Sequence, residues 1–249
     1  MLIEFCIPAY NEEKILAKNA LKLWTYLKNQ KNNFDWKIVL LINGSSDNSE
    51  SIANDLAEKY PEIHSEIVKM PGRGQALKIY FLKSAADIIA YMDADLAVSL
   101  DNIPDLINPL INDDYDLSIG SRLLSESKIE RSFIRELSSR TYNFLSRLVL
   151  GHHFSDMQCG FKAIKKETFV KIAPNIEDKK WFFDTELIAF ANHYNYKIKE
   201  VPVDWQENRY EERTSKVKII KDSLKFLKNL IKLKIRLIKT DINKAPKSV

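Results

Sequence analysis

Short hydrophobic runs alternate along this chain with amphipathic segments, a pattern that predicts strands separated by helices. Buried strands are predicted at residues 2–7, 36–42, 63–69, 88–92, 116–119 and 198–203. Helices are predicted to open at residue 11, to run from 49 as far as 60, to follow residue 75, and to span 131–149. Strand–helix alternation of this kind predicts an α/β fold with a mostly parallel, doubly wound sheet flanked by helices.

The run at 88–92 ends in two acidic residues, Asp93 and Asp95, which do not belong unpaired in a core. Residues i and i+2 of an extended segment point the same way, so both carboxylates converge where the strand ends. Open α/β sheets bind ligands at that edge, and two hard oxygen ligands suit Mg²⁺ or Mn²⁺. An isolated Asp-x-Asp is more often only an acidic turn, so the assignment depends on the rest of the chain.

Two further polar turns, at 8–12 and 43–49, also follow predicted strands. In one parallel sheet they would lie at the same edge as the acidic pair. The turn at 43–49 offers a helix N-cap and free backbone donors, which are features of an anion or nucleotide site. Five of the six glycines lie in loops of this kind, whereas Gly151 is predicted to end a helix.

Composition limits the class of protein. A chain of 249 residues buries a sizeable core as one large domain or two small ones. Cys6 and Cys159 form neither a disulfide framework nor a metal motif, which favours a reducing compartment. No basic segment precedes the first apolar run, so we expect no signal peptide. No apolar run approaches the ~18 residues of a membrane span, so we expect no transmembrane segment.

Charge is distributed unevenly. Residues 1–215 hold 27 Lys and Arg against 32 Asp and Glu, a net charge of −5, whereas residues 216–249 hold 11 against 2, a net charge of +9. An apolar stripe recurs in the second segment at steps of three and four: Ile220, Leu224, Leu227, Ile231, Ile235 and Ile238. Lysines recur with the same period on another face, which predicts a basic amphipathic helix on an anionic membrane surface. The alternatives are a helix packed on the body and a nucleic-acid arm, which the apolar stripe disfavours.

The second half holds several candidate site segments: 120–122, 156–162, 181–187 and 213–216. Asp184 follows the aromatic cluster 181–183, which we predict to be core, and it is either a functional carboxylate or only a helix N-cap. Cys159 is predicted to be a small packed residue rather than a nucleophile.

Nine motifs in this order resemble those of family 2 inverting glycosyltransferases of GT-A fold. They are I-P-A-Y-N-E-E (7–13), N-G-S-S-D-N-S (43–49), G-R-G-Q-A (72–76), D-A-D (93–95), G-S-R (120–122), D-M-Q-C-G-F-K (156–162), W-F-F-D-T-E-L (181–187), E-V-P-V-D-W (200–205) and R-T-S-K (213–216). The last four are similar to the polyprenyl-phosphate and dolichyl-phosphate branch, above all to dolichyl-phosphate β-glucosyltransferases. The resemblance makes 1–215 the catalytic domain and 216–249 its basic membrane-surface tail.

The resemblance implies site residues of four kinds. A nucleotide-sugar donor would contact Pro8, Tyr10, Asn11, Glu12, Asn43, Ser45, Asp47, Gly74, Gln75, Asp93, Ala94 and Asp95. The divalent metal, Mg²⁺ or Mn²⁺, would bind Asp93 and Asp95. The lipid acceptor and its phosphate would contact Arg122, Arg131, Gln158, Lys162, Trp181, Glu186, Arg213, Ser215 and Lys216. The catalytic residues would be Asp95, Arg122 and Asp184.

Three departures from the family pattern refine this hypothesis. Asn43 stands where the family usually has Asp, which weakens the nucleobase contact there. Ala97 stands where the mannose-transferring relatives tend to carry Gln, which favours glucose and hence UDP-glucose. No Q-x-x-R-W motif occurs, which argues against a processive polysaccharide synthase.

The implied reaction is attack by a polyprenyl or dolichyl phosphate oxygen on the anomeric carbon, with inversion and loss of a nucleoside diphosphate. A phosphate monoester is already an anion at neutral pH, so Asp184 is either a base or, as we favour, an orienting residue. The alternatives are a soluble glycan, protein or small-molecule acceptor, a mannose or N-acetylhexosamine donor, and an inactive nucleotide-sugar binding module. We expect a peripheral protein on the cytoplasmic face of a membrane, with no nucleic-acid partner; the oligomeric state is not predicted.

Overall fold

The computed structural model describes residues 1–130, 132–206 and 219–244, and in the last segment the side chains of 226–240. The strands are β1 Leu2–Ala9, β2 Asp35–Asn43, β3 Ile63–Val68, β4 Ile88–Met92, β5 Leu117–Ser121, β6 Lys128–Glu130, β7 Phe161–Lys165, β8 Ile198–Pro202 and β9 Asp204–Gln206. The α-helices are α1 Leu16–Asn29, α2 Ser49–Lys59, α3 Arg73–Lys83, α4 Ile103–Asn112, α5 Phe133–Leu150, α6 Lys166–Ile172, α7 Phe183–His193 and α8 Ile219–Lys244.

Seven strands form one sheet in the order β3-β2-β1-β4-β7-β5-β8. Every neighbouring pair is parallel except those of β7, which runs antiparallel to both β4 and β5. Alternate residues of β1 belong to two different cores, Phe5 and Ile7 to one and Cys6 to the other. Both faces of the sheet are therefore covered, and the predicted mostly parallel α/β fold is confirmed.

The register of the parallel strands places three polar turns at one edge. β1 pairs with β2 from Leu2 to Ala9, and with β4 only as far as Cys6. The turns after Ala9, Asn43 and Met92 therefore lie at the same carboxyl edge, as the sequence predicts. The prediction that Pro8 stops the first strand is wrong: the strand continues to Ala9. Beyond Cys6 the strand has no partner on the β4 side, so a proline, which lacks a backbone N–H, is tolerated at position 8.

Several elements were not predicted. The antiparallel β7 lies between β4 and β5, α4 and α6 follow β4 and β7, and β6 and β9 form a separate two-stranded sheet. The first helix begins at Leu16 rather than at Asn11, because Asn11 has a φ of 53° and 11–15 form turns. Gly151 ends α5 in the left-handed region, as predicted, and its N–H donates to the Arg147 carbonyl at 2.9 Å.

Helix α8 packs on the body through one of its apolar faces. Leu230, Leu233 and Leu237 are buried there, and the ring of Phe226 lies 5.3 Å from that of Tyr142 on α5. The side chains of the predicted stripe that are described are instead exposed on a neighbouring face: Leu227, Ile231, Ile235 and Ile238. Among the described residues, no helix combines the length and apolar character that a membrane span requires.

Candidate functional site

Hydrogen bonds join the two polar turns that follow β1 and β2. The backbone N–H of Asn11 donates to Ser45 Oγ at 3.0 Å, and the N–H of Ser46 returns a bond to Asn11 Oδ1 at 2.7 Å. Further along, the N–H of Glu13 donates to Asp47 Oδ2 at 3.1 Å. The structure thus brings together the residues predicted to hold the base and ribose, with Pro8, Tyr10 and Glu12 in or next to the first turn and Tyr10 exposed.

Asn43, the departure from the family pattern, is buried at the end of β2. With its amide oriented so that both ends are satisfied, it donates to the Ala9 carbonyl and accepts from the Arg73 backbone N–H at 3.3 Å. An ionised aspartate has no hydrogen to donate to the Ala9 carbonyl. The amide of Asn43 therefore links β1 to the start of α3, a function that a carboxylate would not fulfil.

The acidic pair follows β4 directly. Asp93 faces Gly160, where an added Cβ would lie within 2.6 Å of the Asp93 carboxyl carbon. A small cleft beside Asp93 is lined also by Leu96, Ala97 and Trp205. Asp95 Oδ1 accepts the backbone N–H of Ala97 at 3.2 Å, which fixes its side chain. Ala94 lies between the two acids and is buried.

The residues present fit a divalent metal ion. The donor set is two carboxylates, the oxygen chemistry that Mg²⁺ and Mn²⁺ prefer, and the missing side chain at Gly160 leaves room at the Asp93 carboxylate. No group of three or more His, Cys, Asp and Glu gathers anywhere in the described part of the chain. Two carboxylate ligands are typical of metals that also bind substrate phosphates.

A buried cluster of charges lies next to the acidic pair. Asp184 Oδ1 accepts from Tyr91 Oη at 2.5 Å and from Lys162 Nζ at 3.0 Å, while Oδ2 accepts from Arg73 Nη1 at 2.7 Å. The second Arg73 nitrogen, Nη2, donates to Asp93 Oδ1 at 3.2 Å. Asp184 thus forms ion pairs with both Arg73 and Lys162, and its side chain does not cap α7.

The charges around Asp184 determine its ionisation. Burial is the largest single influence and acts to raise the pKa of the Asp184 carboxyl. The charges of Arg73 and Lys162 and the hydrogen bonds from Tyr91 and Lys162 together outweigh it, so the pKa is lowered from its ordinary value. Lys162 is fully buried in β7 and also donates to the Cys159 carbonyl. Cys159 is packed as predicted, and burial, the largest influence, raises the pKa of its thiol to about 12.

Arg122 forms a second ion pair at the end of β5. Its Nε and Nη2 donate to the two oxygens of Asp156 at 2.7 and 3.0 Å, and its backbone N–H donates to the same carboxylate at 3.2 Å. Burial acts to raise the pKa of Asp156, but the Arg122 guanidinium, the Gln158 backbone N–H and the Lys162 charge together lower it to about 2. The backbone N–H of Gln158 also donates to Asp156, at 3.1 Å.

The segment 177–182 covers the N-terminus of α3. The N–H groups of Gly74 and Gln75 donate to the carbonyls of Lys180 and Lys179, both at 3.1 Å. Gly74 is required here, because an added Cβ would lie 2.6 Å from Cβ of Phe183. Gly74 and Gln75, which were predicted to contact the nucleotide-sugar donor, therefore lie against this segment.

Two predicted acceptor residues, Trp181 and Glu186, flank the same segment. Trp181 is 37% exposed, so its assignment to the core is wrong, although Phe182 and Phe183 are buried. Glu186 is buried and accepts the N–H groups of Glu177 and Asp178 at 2.7 and 2.8 Å. Arg236 of α8 pairs with Glu186 as well.

Three predicted acceptor residues, Arg213, Ser215 and Lys216, and also Arg131, lie outside the described residues. Three residues of the site, Arg73, Tyr91 and Asp156, were not among the predicted site residues. Arg73 and Asp156 occur within the quoted motifs, Arg73 between two glycines and Asp156 at the start of its segment, whereas Tyr91 lies in β4 outside them. The sequence therefore contains both motifs, but the ion-pair partners of Arg73 and Asp156 lie too far away in sequence to be deduced from the spacing of residues.

A doubly wound sheet with two linked polar turns and an Asp-x-Asp pair at its carboxyl edge defines the glycosyltransferase class with the GT-A fold. The chain belongs to glycosyl transferase family 2, whose sequence model matches residues 4–172.

Three named proteins are similar to this chain in sequence. The chain is 30% identical over 251 residues to dolichyl-phosphate beta-glucosyltransferase ALG5C of Trichomonas vaginalis, covering 96% of this chain and 70% of that protein. It is 29% identical over 215 residues to the human dolichyl-phosphate beta-glucosyltransferase, covering 81% and 66%. Glycosyltransferase AglD of Haloferax volcanii is 30% identical over 223 residues, but this chain spans only 35% of its length.

Solved structures share the fold at low identity. Glucosyl-3-phosphoglycerate synthase of Mycobacterium tuberculosis with Mn²⁺, UDP and glucosyl-3-phosphoglycerate superposes with a TM-score of 0.66 at 17% identity, over 94% of this chain and 79% of that chain. Its complex with Mg²⁺ and UDP gives a TM-score of 0.65 at 16% identity, over 94% and 78%.

Proposed function

We propose that this chain transfers glucose from UDP-glucose to a dolichyl or other polyprenyl phosphate, with inversion and with the help of Mg²⁺ or Mn²⁺. The observation that carries the proposal is the position of Asp93 and Asp95 at the carboxyl edge, beside the joined turns after β1 and β2. The named relatives favour this donor and acceptor over the other members of the family.

Asp93 and Asp95 would hold the metal, which neutralises charge on the departing diphosphate. The turns at 8–12 and 43–47 would hold the base and ribose, and Arg122 would meet a phosphate. Arg122 is well suited to this contact, because Asp156 fixes its guanidinium from one side and the Trp205 ring lies 5.9 Å from its Cζ. Arg131, Arg213, Ser215 and Lys216 are proposed to add positive charge or hydrogen bonds for the acceptor.

Asp184 is proposed to orient groups rather than to remove a proton. Both of its oxygens already accept hydrogen bonds from Arg73, Lys162 and Tyr91, and its lowered pKa makes it a weak base. The phosphate acceptor is an anion at neutral pH and needs positioning more than deprotonation.

Gly160→Ala is expected to impair metal binding, because the new methyl group would displace the Asp93 carboxylate. We expect the rise in Tm that Mn²⁺ produces in the parent chain to disappear in this variant. Gly151→Ala is the control: its Cβ meets open space, so its left-handed φ costs about 1 kcal/mol of folding but leaves the Mn²⁺ effect intact. An undiminished Mn²⁺ shift in Gly160→Ala would place the metal elsewhere.

The proposed activity is tested by incubating the chain with Mn²⁺, dolichyl phosphate and one labelled donor at a time, followed by extraction into organic solvent. We expect label from UDP-glucose in the organic phase, and little from GDP-mannose or UDP-N-acetylglucosamine. Phosphoglyceric acid, present in several complexes of the mycobacterial neighbour, serves as the soluble competing acceptor. Label that appears only on that acceptor would contradict the lipid assignment, and label on neither would favour a binding module.

We further propose that the chain acts as a peripheral protein on the cytoplasmic face of a membrane. Beside the exposed stripe of α8, helix α5 exposes large apolar side chains at helical spacing: Phe133, Ile134, Leu137, Phe144 and Leu148. Five such residues on one stripe form the kind of apolar face that marks an interaction surface. Lysines of α8 and arginines of α5 add attraction to anionic lipids, about 1 kcal/mol for each residue near the surface.

Substitution of the stripe tests the membrane proposal better than removal of α8, because removal would also uncover the core around Leu230, Leu233 and Leu237. We expect the parent chain to sediment with anionic liposomes and to be only partly released by high salt, since salt weakens charge attraction but not apolar insertion. Serine at Ile231, Ile235 and Ile238 should abolish sedimentation. Serine at Ile79 and Leu82, exposed on α3, should leave it unchanged. Failure of the parent chain to sediment with anionic liposomes at low salt would refute the proposal.

A further inference from the structure

Arg73 bridges two carboxylates whose surroundings differ. Its Nη1 lies 2.7 Å from Asp184 Oδ2, and its Nη2 lies 3.2 Å from Asp93 Oδ1. The Asp184 side chain is only 3% exposed, whereas that of Asp93 is 39% exposed. The bond to Asp184 is thus short and sheltered from water, while the bond to Asp93 is longer and open to exchange.

The guanidinium itself is held in place. Its Cζ lies 5.2 Å from the centre of the Tyr91 ring and 5.5 Å from that of Trp181, and the backbone N–H of Arg73 reaches Asn43. Arg73 is buried, and its Nε has no hydrogen-bond partner within the described ranges. Arg73 is therefore a fixed positive charge beside Asp93, one that cannot move out into solvent as a surface arginine would.

Asp93 and Asp184 already face two cations, Arg73 and Lys162, without a metal. A divalent ion on Asp93 and Asp95 would be a third cation, close to the fixed guanidinium, and the two would repel. Of the two Asp93 oxygens, Oδ1 already accepts from Arg73, and Oδ2 lies nearest to the space left by Gly160.

We infer that Arg73 is the resident counter-cation of Asp93, and that its charge, held in place through Nη1 on Asp184, opposes the binding of a metal ion at Asp93. This inference rests on the metal site of the proposed function. It makes Arg73 a positioning residue: it keeps the Asp93 carboxylate in place before the metal arrives, and it weakens binding of the metal alone.

This opposition between Arg73 and the metal ion also couples the metal to the nucleotide. A diphosphate brings negative charge next to both cations, which offsets the repulsion between the metal ion and Arg73. Mn²⁺ and UDP should therefore each strengthen binding of the other, a reciprocal coupling that depends on Arg73. A site without a resident cation would bind the metal alone more tightly and would gain less from the nucleotide.

Calorimetric titration of the full chain with Mn²⁺, with and without UDP, tests the inference. In Arg73→Gln we expect Mn²⁺ alone to bind about tenfold more tightly than in the parent, a change of about 1.4 kcal/mol, and the enhancement by UDP to shrink. Arg236→Gln is the matched control, since Arg236 also bridges two carboxylates, Glu177 and Glu186, but on α8. It should leave both titrations unchanged.

Arg73→Lys covers the case in which the glutamine variant does not fold, as judged by circular dichroism. A lysine keeps the charge but lacks the fork that reaches both carboxylates, so Mn²⁺ alone should still bind more tightly than in the parent. Equal or weaker Mn²⁺ binding in folded Arg73 variants would overturn the inference and leave the metal site standing. Absence of Mn²⁺ binding in the parent, even with UDP, would overturn the metal site and this inference together.

Discussion

Asp95→Asn is expected to abolish sugar transfer, lowering kcat/KM by at least about a thousandfold, because the proposed metal site would lose a charged ligand and the departing diphosphate its counter-charge. The fold should survive, since an amide oxygen can still accept the N–H of Ala97 that Asp95 Oδ1 accepts. We expect Tm without metal to change little. Measurement of steady-state rates and of thermal unfolding on the same preparation separates the two effects.

Chelation provides the independent check on Asp95→Asn. EDTA should reduce the parent chain to the activity of the variant, and excess Mn²⁺ or Mg²⁺ should restore the parent but not the variant. Asp55→Asn, at an exposed position of α2, controls for loss of one negative charge and should keep parental activity. Full parental activity in excess chelator would show that the reaction needs no metal.

Asp184→Asn is expected to lower turnover about a hundredfold, the scale of effect that a misplaced group produces at a reacting centre. It should also reduce the free energy of unfolding by about 3–5 kcal/mol, since Arg73 and Lys162 lose the buried charge that pairs them. Glu4→Gln is the matched control: Glu4 is a buried carboxylate that accepts from Tyr80 Oη at 2.8 Å, at the opposite end of β1. It should lose stability but keep turnover.

The pH profile decides which role Asp184 has. Its folded pKa is lowered, so the ion pairs that it makes stabilise the fold above the unfolded pKa near 3.8 and are lost as pH falls through the folded value. Titration of Asp184 therefore acts in acid, well below the neutral range. If Asp184 only orients groups, Asp184→Asn should retain the shape of the profile of kcat against pH. Disappearance of the limb attributed to a general base would show that Asp184 removes a proton.

The edge of the sheet that carries the site could be predicted because hydrophobic runs end in polar turns there. The position of Asp93 and Asp95 needed only a hydrophobic run that ends in acids, and the turns after β1 and β2 needed only parallel pairing. The two-residue period of a strand does not hold for the acidic pair itself, because β4 ends at Met92 and residues 94 and 95 lie in a turn closed by the Leu96 N–H on the Asp93 carbonyl at 2.9 Å. Both inferences depend on residues that are close in sequence or on a repeated local pattern.

The charged cluster could not be predicted in the same way. Lys162 is the second residue of a five-residue strand that also ends in a lysine. Such a segment is not predicted to be a buried strand unless the partner of Lys162, Asp184, 22 residues away, is known. Arg73 bridges residues that are 20 and 111 positions distant, so no local spacing contains the signal. Burial of these groups becomes reasonable only when the fold pairs them.

Helix α8 shows a different limit. Periodicity identifies an apolar stripe, but this helix has apolar residues on two adjoining faces. Leu230, Leu233 and Leu237 pack on the body, while Ile231 and Ile235 of the recognised stripe remain exposed. A pattern of threes and fours cannot tell which of two such faces packs on the body and which remains exposed.

The anomeric configuration of the product tests the central claim most directly. The chain would be incubated with UDP-glucose, Mn²⁺ and a short polyprenyl phosphate, and the extracted lipid examined by proton NMR. UDP-glucose carries an α linkage, so inversion by direct attack of the phosphate predicts a β-linked glucosyl phosphate, recognised by the large coupling between the first two ring protons. An α-linked product, or glucose released without any lipid product, would contradict the account.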